Sequence, residues 1–208
     1  MQSHTATIIL AAGQFPRKDG IGHRLLAEAG RIVCCDGAVA ACRRAFGRFP
    51  DVIVGDLDSA SPRLLASARA AGCEVVRVAE QETNDLEKAL LLCRRRRWRV
   101  TAVVGAAGGR EDHLISNVFR ALAYGVELVT DAGRFVPVDG RRRLRVWKGA
   151  AVSVFAPDPT TRMTSRGLVW PLDGIPFPNL YCATLNRASA ATIELTTTKP
   201  VLVYLAYE

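Results

Sequence analysis

The sequence has no long hydrophobic run. Its longest uncharged apolar stretches, such as residues 100–109, cover about ten residues, whereas a helix that crosses a bilayer needs about 20. The apolar N-terminal stretch, residues 5–13, lacks the basic residues with which a secretory signal begins and runs directly into a turn. It predicts a first β-strand. We therefore expect a soluble, cytoplasmic protein with no membrane partner.

Paired cysteine motifs are also missing. The six cysteines show no CxxC spacing and have no histidine partners at distances typical of zinc sites. This pattern argues against a zinc module and a secreted disulfide scaffold. We expect reduced cysteines that are mostly buried and behave as small hydrophobic side chains.

The composition lacks the bias of a fibrous or disordered chain. Hydrophobic residues make up 49% of the sequence and charged residues 23%, close to the average for globular proteins. The net charge of +8 is not gathered in a basic tail, and no internal repeat is visible. A length of 208 residues fits one large domain or two small ones.

The first 130 residues alternate short β-branched runs with helical segments, a pattern typical of a parallel sheet covered by helices. Ser61 and Pro62 predict a helix start, and Gly72 predicts its end. Asn84 and Glu87 have the spacing of a capping box at the start of a second helix. The predicted strands cover residues 6–11, 31–35, 52–54, 74–78, 100–104 and 126–130.

From about residue 131 the helical period disappears, and Gly, Pro and Thr separate short alternating segments that favour antiparallel β structure. The sequence Asp139-Gly140 is a turn signal. We predict an α/β N-terminal domain (1–135), with a mostly parallel sheet and helices on both faces, followed by a smaller antiparallel β domain (136–208); the pattern places the boundary within residues 131–143. The predicted strands of the second part cover residues 134–138, 144–147, 150–155, 192–196 and 201–206.

Acidic and glycine-rich segments follow the carboxyl ends of four predicted strands. In open parallel sheets the ligand crevice lies outside these ends, so the four loops are expected to converge on one site. The segments are Asp36-Gly37, residues 55–59, residues 80–85 and residues 105–113.

Converging carboxylates repel one another unless a cation is present, and hard oxygen ligands suit Mg²⁺. Asp56, Asp58 and Asp85 are therefore candidate metal ligands. Two alternatives stay open at this point: an Asx turn for the first two residues, and a helix N-terminal carboxylate favoured by the dipole for Asp85.

The loop that contains Gly105, Gly108 and Gly109 can present backbone N–H groups to a phosphate, and Arg110 adds positive charge. It is not a Walker P-loop, because no Gly-Lys-Ser/Thr follows, and a tight turn is the alternative. Lys88 either reaches a phosphate or forms an ion pair with Asp85. The segment also holds Asp112, which could be only a helix cap, and His113, which could be only a packed side chain.

Several of these segments, in this order and spacing, resemble thiamine pyrophosphokinases. The resemblance covers nearly the whole chain. In the first part it rests on residues 36–38, 49–59, 83–90 and 108–113, and in the second part on residues 164–172 and 184–186. Three positions depart from the family pattern: Glu82 replaces a common Asp, Asn84 a common Thr, and Leu185 a usual Ser.

The resemblance implies an N-terminal α/β catalytic domain and a C-terminal antiparallel β-sandwich that binds thiamine. It also implies a homodimer that converts ATP and thiamine into AMP and thiamine diphosphate with Mg²⁺. It places the metal on Asp56, Asp58 and Asp85, and thiamine on Trp170 and Asn186 between subunits. A core position in the sandwich is the alternative for Trp170. Other catalytic positions implied are Asp36, Arg110 and Asp112, and the implied cofactor-binding positions are Gln81, Lys88, Gly108, Gly109, His113 and Asn117.

Parts of the sequence are compatible with two other functions. The basic runs 94–99 and 141–145 are compatible with a nucleic-acid-binding module, but the first run closes an amphipathic helix, where cations complement the dipole. We expect no nucleic-acid partner. A related pyrophosphoryl transferase that acts on a different alcohol is the other alternative, and Leu185 leaves it open.

Overall fold

The structure is a computed structural model that describes residues 6–207. The chain forms two compact units. The N-terminal unit contains the residues up to 120 together with 128–131, and the C-terminal unit contains residues 121–127 together with those from 132 onward.

The N-terminal unit is built on a sheet with the strand order β6-β5-β1-β2-β3-β4. The pairs β1–β2, β1–β5, β2–β3 and β3–β4 are parallel. Residues of β1 and β3 are buried along their whole length, as expected for strands covered on both faces. The strands are β1 (Thr7–Leu10), β2 (Arg31–Cys35), β3 (Val52–Gly55), β4 (Glu74–Arg77), β5 (Val100–Val104) and β6 (Glu127–Val129).

Five helices connect these strands, and the two predicted helix starts are confirmed. The Ser61 hydroxyl accepts a hydrogen bond from the Leu64 N–H, and the Asn84 side chain accepts one from the Glu87 N–H. The helices are α1 (Ile21–Ala27), α2 (Val39–Phe46), α3 (Pro62–Ala70), α4 (Asp85–Arg95) and α5 (Glu111–Tyr124), and a 3-10 turn covers Asp36–Ala38. Within residues 6–207, no helix has both the length and the apolar character needed to cross a membrane.

The C-terminal unit is an antiparallel sheet in the order β10-β8-β11-β7, with β9 paired to β11. One half of β11 pairs with β9 and the other half with β8, so this long strand supports two groups of strands around one apolar core. The strands are β7 (Gly133–Arg145), β8 (Ala151–Phe155), β9 (Met163–Arg166), β10 (Ala183–Arg187) and β11 (Thr192–Ala206).

The predicted fold class is confirmed, but four predicted segments are halves of two continuous strands, β7 and β11. The predicted turn at Asp139-Gly140 is wrong, because both residues lie inside β7. Gly140 has a φ of +71°, and the register between β7 and β11 shifts next to it. The turn signal therefore marks a β-bulge, where a residue without Cβ adopts the left-handed conformation at low cost.

Candidate active site

Three aspartates meet at the carboxyl edge of the parallel sheet. Asp36 follows β2, whereas Asp56 and Asp58 follow β3. Each of the three offers a carboxylate oxygen, and these oxygens lie within 4.8 Å of one another. The parallel pairing of β2 with β3 brings the two loops together, as the sequence pattern predicted.

The conformation of Leu57 shapes the loop after β3. Its φ is 71°, an unusual value for a branched residue. The Asp58 N–H donates to Asp56 Oδ1 at 3.2 Å, so the Asx turn that was the alternative to a metal site is present. Gln81 Nε2 donates to the other oxygen of Asp56 at 3.0 Å. These bonds fix the carboxylate, and the Gln81 bond is the main reason why the pKa of Asp56 lies below its usual value.

Asp36 is the most enclosed acid of the site, with 1% of its surface exposed. Its Oδ1 accepts the Gly37 N–H at 2.7 Å, but its Oδ2 has no hydrogen-bond partner among residues 6–207. Burial, followed by the charge of Asp85, raises the pKa of Asp36. Gly55 makes room for this carboxylate, because a Cβ on Gly55 would lie 2.7 Å from Asp36 Cγ.

Asp85 begins α4, and Lys88 lies one turn later. Lys88 is 3% exposed, and its Nζ lies 3.5 Å from Asp85 Oδ1. The ion pair that the sequence left as an alternative is therefore present. A nearly buried ammonium group needs a negative partner, yet one carboxylate oxygen at this distance leaves donor capacity on Nζ. Burial is the largest influence on the Asp85 pKa and raises it, while Lys88 lowers it.

The loop after β1 was missed as part of the site. The Gly13 N–H donates to the Gly105 carbonyl, and the Gln14 N–H donates to the Ala107 carbonyl, both at 2.7 Å. Two backbone hydrogen bonds thus connect the loop after β1 with the loop after β5. Residues 11–13 line the cleft. The signal was available, because residues 11–16 also follow the carboxyl end of a strand.

Arg110 is exposed and held by its neighbour. Its Nε and Nη2 donate to the two Asp112 oxygens at 3.1 and 2.6 Å. This fork lowers the pKa of Asp112 and fixes the plane of the guanidinium. His113 is exposed, so its alternative role as a packed side chain is wrong.

These loops surround a cleft of about 410 Å³. It brings together most of the residues implied for nucleotide and metal binding, whereas Asp36, Asp58, Gly108 and Asp112 are outside its lining. The predicted residues that line it are Asp56, Gln81, Asp85, Lys88, Gly109, Arg110, His113 and Asn117.

The site fits a hard divalent cation. Its donors are carboxylate oxygens, which Mg²⁺ prefers, and the buried Asp36 Oδ2 atom has no hydrogen-bond partner within residues 6–207, although buried polar atoms are normally hydrogen-bonded. The three acids whose carboxylate oxygens lie within 4.8 Å of one another are Asp36, Asp56 and Asp58, whereas the sequence analysis predicted Asp85 as the third ligand. Asp85 still interacts electrostatically with Asp36 and Asp56.

The raised pKa of Asp36 gives a stability prediction. A raised folded-state pKa means that the contribution of this group to stability is complete below the unfolded pKa, near 3.9, and is lost as the pH rises through the folded pKa. Asp36→Asn should therefore raise the Tm of the metal-free protein at neutral pH; for a chain of this size each kcal/mol of stabilisation raises Tm by about 2–4 °C. The gain should disappear towards pH 4. Thermal melts in EDTA across this pH range test it, and a lower Tm for the variant at pH 7 would contradict it.

In the C-terminal unit, Trp170 lies on the surface. It is 55% exposed, so its alternative role as a core aromatic is wrong. The side chain of Asn186, 4% exposed, holds the Trp170 backbone from both sides: Nδ2 donates to the Trp170 carbonyl at 2.7 Å, and the Trp170 N–H donates to Oδ1 at 3.3 Å. Asn186 therefore supports the exposed tryptophan. Leu185, beside it, is 87% exposed with a φ of 65°.

Comparison with solved structures shows the same fold over nearly the whole chain. A thiamin pyrophosphokinase from Candida albicans is 16% identical with a TM-score of 0.78, covering 97% of this chain and 90% of the other. A thiamin pyrophosphokinase family protein from Enterococcus faecalis is 16% identical with a TM-score of 0.80, covering 98% and 99%. The enzyme from Geobacillus thermodenitrificans is 21% identical with a TM-score of 0.76, covering 97% of both chains.

Family models identify both parts of the sequence. Residues 23–128 match the catalytic domain of thiamin pyrophosphokinase, and residues 133–204 match the substrate-binding domain of thiamin pyrophosphokinase. The first match contains the acidic cluster and all of the cleft lining except residues 11–13, and the second contains Trp170 and Asn186. These matches do not favour a nucleic-acid-binding module. The chain belongs to the thiamin pyrophosphokinase family.

Proposed function

We propose that the cleft binds ATP and Mg²⁺ and that the protein transfers the pyrophosphoryl group of ATP to the hydroxyl of thiamine, the reaction of its family. The observation that carries this proposal is the cluster of Asp36, Asp56 and Asp58, in which the buried Asp36 Oδ2 atom has no hydrogen-bond partner in the described part of the chain. The cluster lies beside a cleft that also presents a buried lysine and an arginine. This combination suits a polyphosphate bound together with a cation.

Asp56, Asp58 and Asp85 would hold the cation, and Asp36 would complete the negative site behind them. Bound Mg²⁺ supplies charge neutralisation on the phosphates of ATP. Gln81 holds Asp56 in place through its 3.0 Å hydrogen bond. The chain itself thus contributes a preformed set of carboxylates whose mutual repulsion is relieved when the cation binds.

The other side of the cleft would bind the phosphates. Lys88 Nζ retains donor capacity beyond Asp85, and Arg110 is oriented by Asp112. The backbone around Gly108 and Gly109, together with the nearby His113 and Asn117, would add further donors. Positioning and charge neutralisation are the main requirements of phosphoryl-type transfer, so no covalent protein nucleophile is needed.

The reaction balances as a displacement at the β-phosphorus of ATP. The thiamine hydroxyl oxygen forms the new bond to phosphorus, the bond between the α,β-bridging oxygen and the β-phosphorus breaks, and AMP leaves with that oxygen. The hydroxyl proton passes to a carboxylate of the site, Asp56 or Asp85.

Trp170 would stack on the cationic thiazolium of thiamine, and Asn186 would hold the tryptophan in place. We propose that the working unit is a homodimer in which a neighbouring subunit completes the thiamine site. The exposed apolar side chains of Val169, Trp170 and Leu185 support a surface that a ligand or partner covers.

The cysteines, which form no disulfide within residues 6–207, support a location in the reducing cytoplasm.

Arg110 gives a prediction about the phosphates. Lysine keeps the charge but lacks the planar fork that pairs with Asp112 and with phosphate oxygens. We expect Arg110→Lys to raise KM for ATP or to lower kcat by about tenfold, the loss expected for one charge-assisted hydrogen bond. Steady-state kinetics at saturating thiamine measure both constants, and unchanged values would remove Arg110 from the phosphate site.

The decisive experiment incubates the protein with ATP, Mg²⁺ and thiamine and identifies the products by mass. The proposal expects AMP and thiamine diphosphate in equal amounts. ADP with thiamine monophosphate would mean transfer of one phosphoryl group instead. AMP release that requires a different alcohol would support the alternative acceptor that Leu185 left open.

A further inference from the structure

The side chain of Asn84 joins two helices at the edge of the cleft. Its Oδ1 accepts the Glu87 N–H at 2.9 Å, which caps α4. Its Nδ2 donates to Asn117 Oδ1 at 3.0 Å, across to α5. The second contact is not needed for capping, because an N-cap requires only an acceptor. It therefore requires a separate explanation.

A second link supports the same register of the two helices. Arg120 Nε donates to Glu87 Oε2 at 2.7 Å, and this pair is separated by the same 33 residues as the pair formed by Asn84 and Asn117. The first turns of α4 and the middle of α5 are thus joined at two successive levels. The bond between Arg120 and Glu87 already holds the two helices together. The bond between Asn84 and Asn117 is therefore free to serve another purpose, the orientation of the Asn117 side chain at the cleft.

The capping bond decides how both amides are oriented. Because the Asn84 oxygen is used by the Glu87 N–H, only its NH₂ group can face Asn117, and Asn117 must offer its oxygen in return. The NH₂ group of Asn117 is then directed away from this pair. Asn117 lines the cleft although it is 7% exposed, and the described part of the chain provides no other hydrogen-bond partner for its side chain.

We propose that Asn84 is a positioning residue that holds Asn117 with its NH₂ group available to the nucleotide in the cleft. The identity of the nucleotide as ATP rests on the proposed function. An NH₂ group suits the acceptor atoms of a nucleotide, its phosphate oxygens or ring nitrogens, whereas a flipped amide would present an oxygen that repels them. A threonine or serine at position 84 also caps the helix, but its hydroxyl lies one bond closer to the backbone than the Asn84 NH₂ group, so we expect it to cap α4 without reaching Asn117.

The test separates capping from positioning. Asn84→Ser retains a cap, so its Tm should lie close to that of the wild type. Its dissociation constant for a non-hydrolysable ATP analogue, measured by calorimetry, should rise about tenfold, the value of one hydrogen bond. KM for ATP should rise equally, and kcat and KM for thiamine should change less than about twofold. Asn84→Thr is the second variant if the serine protein folds poorly.

Ser61→Ala is the matched control, because it removes the N-cap of α3, which does not line the cleft. It should lower Tm and leave nucleotide affinity unchanged. A double-mutant cycle then tests the path of the effect: in an Asn117→Ala background, Asn84→Ser should cause no further loss.

Wild-type nucleotide affinity in Asn84→Ser, or losses that simply add in the double variant, would overturn the inference. Binding of the ATP analogue is measured without thiamine turnover. The inference therefore stands or fails separately from the proposed reaction: a protein that binds the analogue but makes no thiamine diphosphate would contradict only the latter.

Discussion

Asp56→Asn, Asp58→Asn and Asp85→Asn should each lower kcat by about 100-fold or more, the usual cost of removing a group that stabilises charge in a transition state. Asparagine keeps the shape and one acceptor oxygen but removes the negative charge that holds a cation. The loss should persist at saturating ATP and thiamine. Steady-state assays over a range of Mg²⁺ concentrations measure it.

Folding should survive Asp56→Asn and Asp58→Asn, because the carboxylates repel one another in the absence of a cation, and near-wild-type circular dichroism and Tm would show this. Asp85→Asn should lower Tm, because it removes the charge that pairs with the nearly buried Lys88, so its kcat is measured well below its Tm. Asp139→Asn is a suitable control, since Asp139 is exposed and lies in the C-terminal unit. A variant of the trio that kept wild-type kcat at saturating Mg²⁺ would lose its assignment as a metal ligand. If Asp85→Asn alone did so, Asp36 would become the third ligand, in keeping with the tighter cluster.

The location of the site could be predicted from sequence because it depends on a periodic feature. Buried strands are recognisable as β-branched runs, and the loops after Cys35, Gly55 and Val104 must meet at one edge if the strands are parallel. The helix starts at Ser61 and Asn84 could also be predicted, because a helix cap depends only on residues about three positions apart in the sequence. Each of these features requires no knowledge of distant packing.

The features that were missed depend on contacts between segments far apart in the chain. The loop at Gly13 follows a predicted strand, but its place in the site depends on the hydrogen bond to Gly105 and on the pairing of β1 with β5, which the local pattern does not show. The same applies to the pair formed by Asn84 and Asn117, 33 residues apart. Burial of Asp36 to 1% exposure likewise results from the packing of β2 beside β3, where Gly55 leaves space.

The C-terminal unit shows a different limit. Glycine and proline interrupt the alternating pattern near Gly140 and Pro200, and each interruption predicts the end of a strand. In the structure β7 and β11 continue through these positions, because each strand pairs with the other along nearly its whole length. Long-range pairing outweighed the local turn signals, and the register shift between Thr197 and Val201 absorbs the irregularity.

Trp170→Ala should raise KM for thiamine by about tenfold to thirtyfold, the range expected when an aromatic face is removed from a desolvated cation. KM for ATP should change little, because the nucleotide cleft is formed by other residues. Asn186 holds the backbone of this segment rather than the indole ring, so the segment should keep its conformation. Addition of thiamine should alter tryptophan fluorescence in the wild type and less in the variant.

Trp147→Ala provides the control, since Trp147 is 71% exposed in the same unit and was not assigned to the site. It should leave KM for thiamine unchanged. If a neighbouring subunit completes the thiamine site, light scattering should give about twice the chain mass of 22.5 kDa, and activity should fall on dilution below the dissociation constant of the dimer. An active monomer would contradict the shared site while leaving the role of Trp170 intact. An unchanged KM for thiamine in Trp170→Ala would instead remove Trp170 from the substrate site, because an exposed tryptophan that contacts thiamine cannot be deleted without loss of that contact.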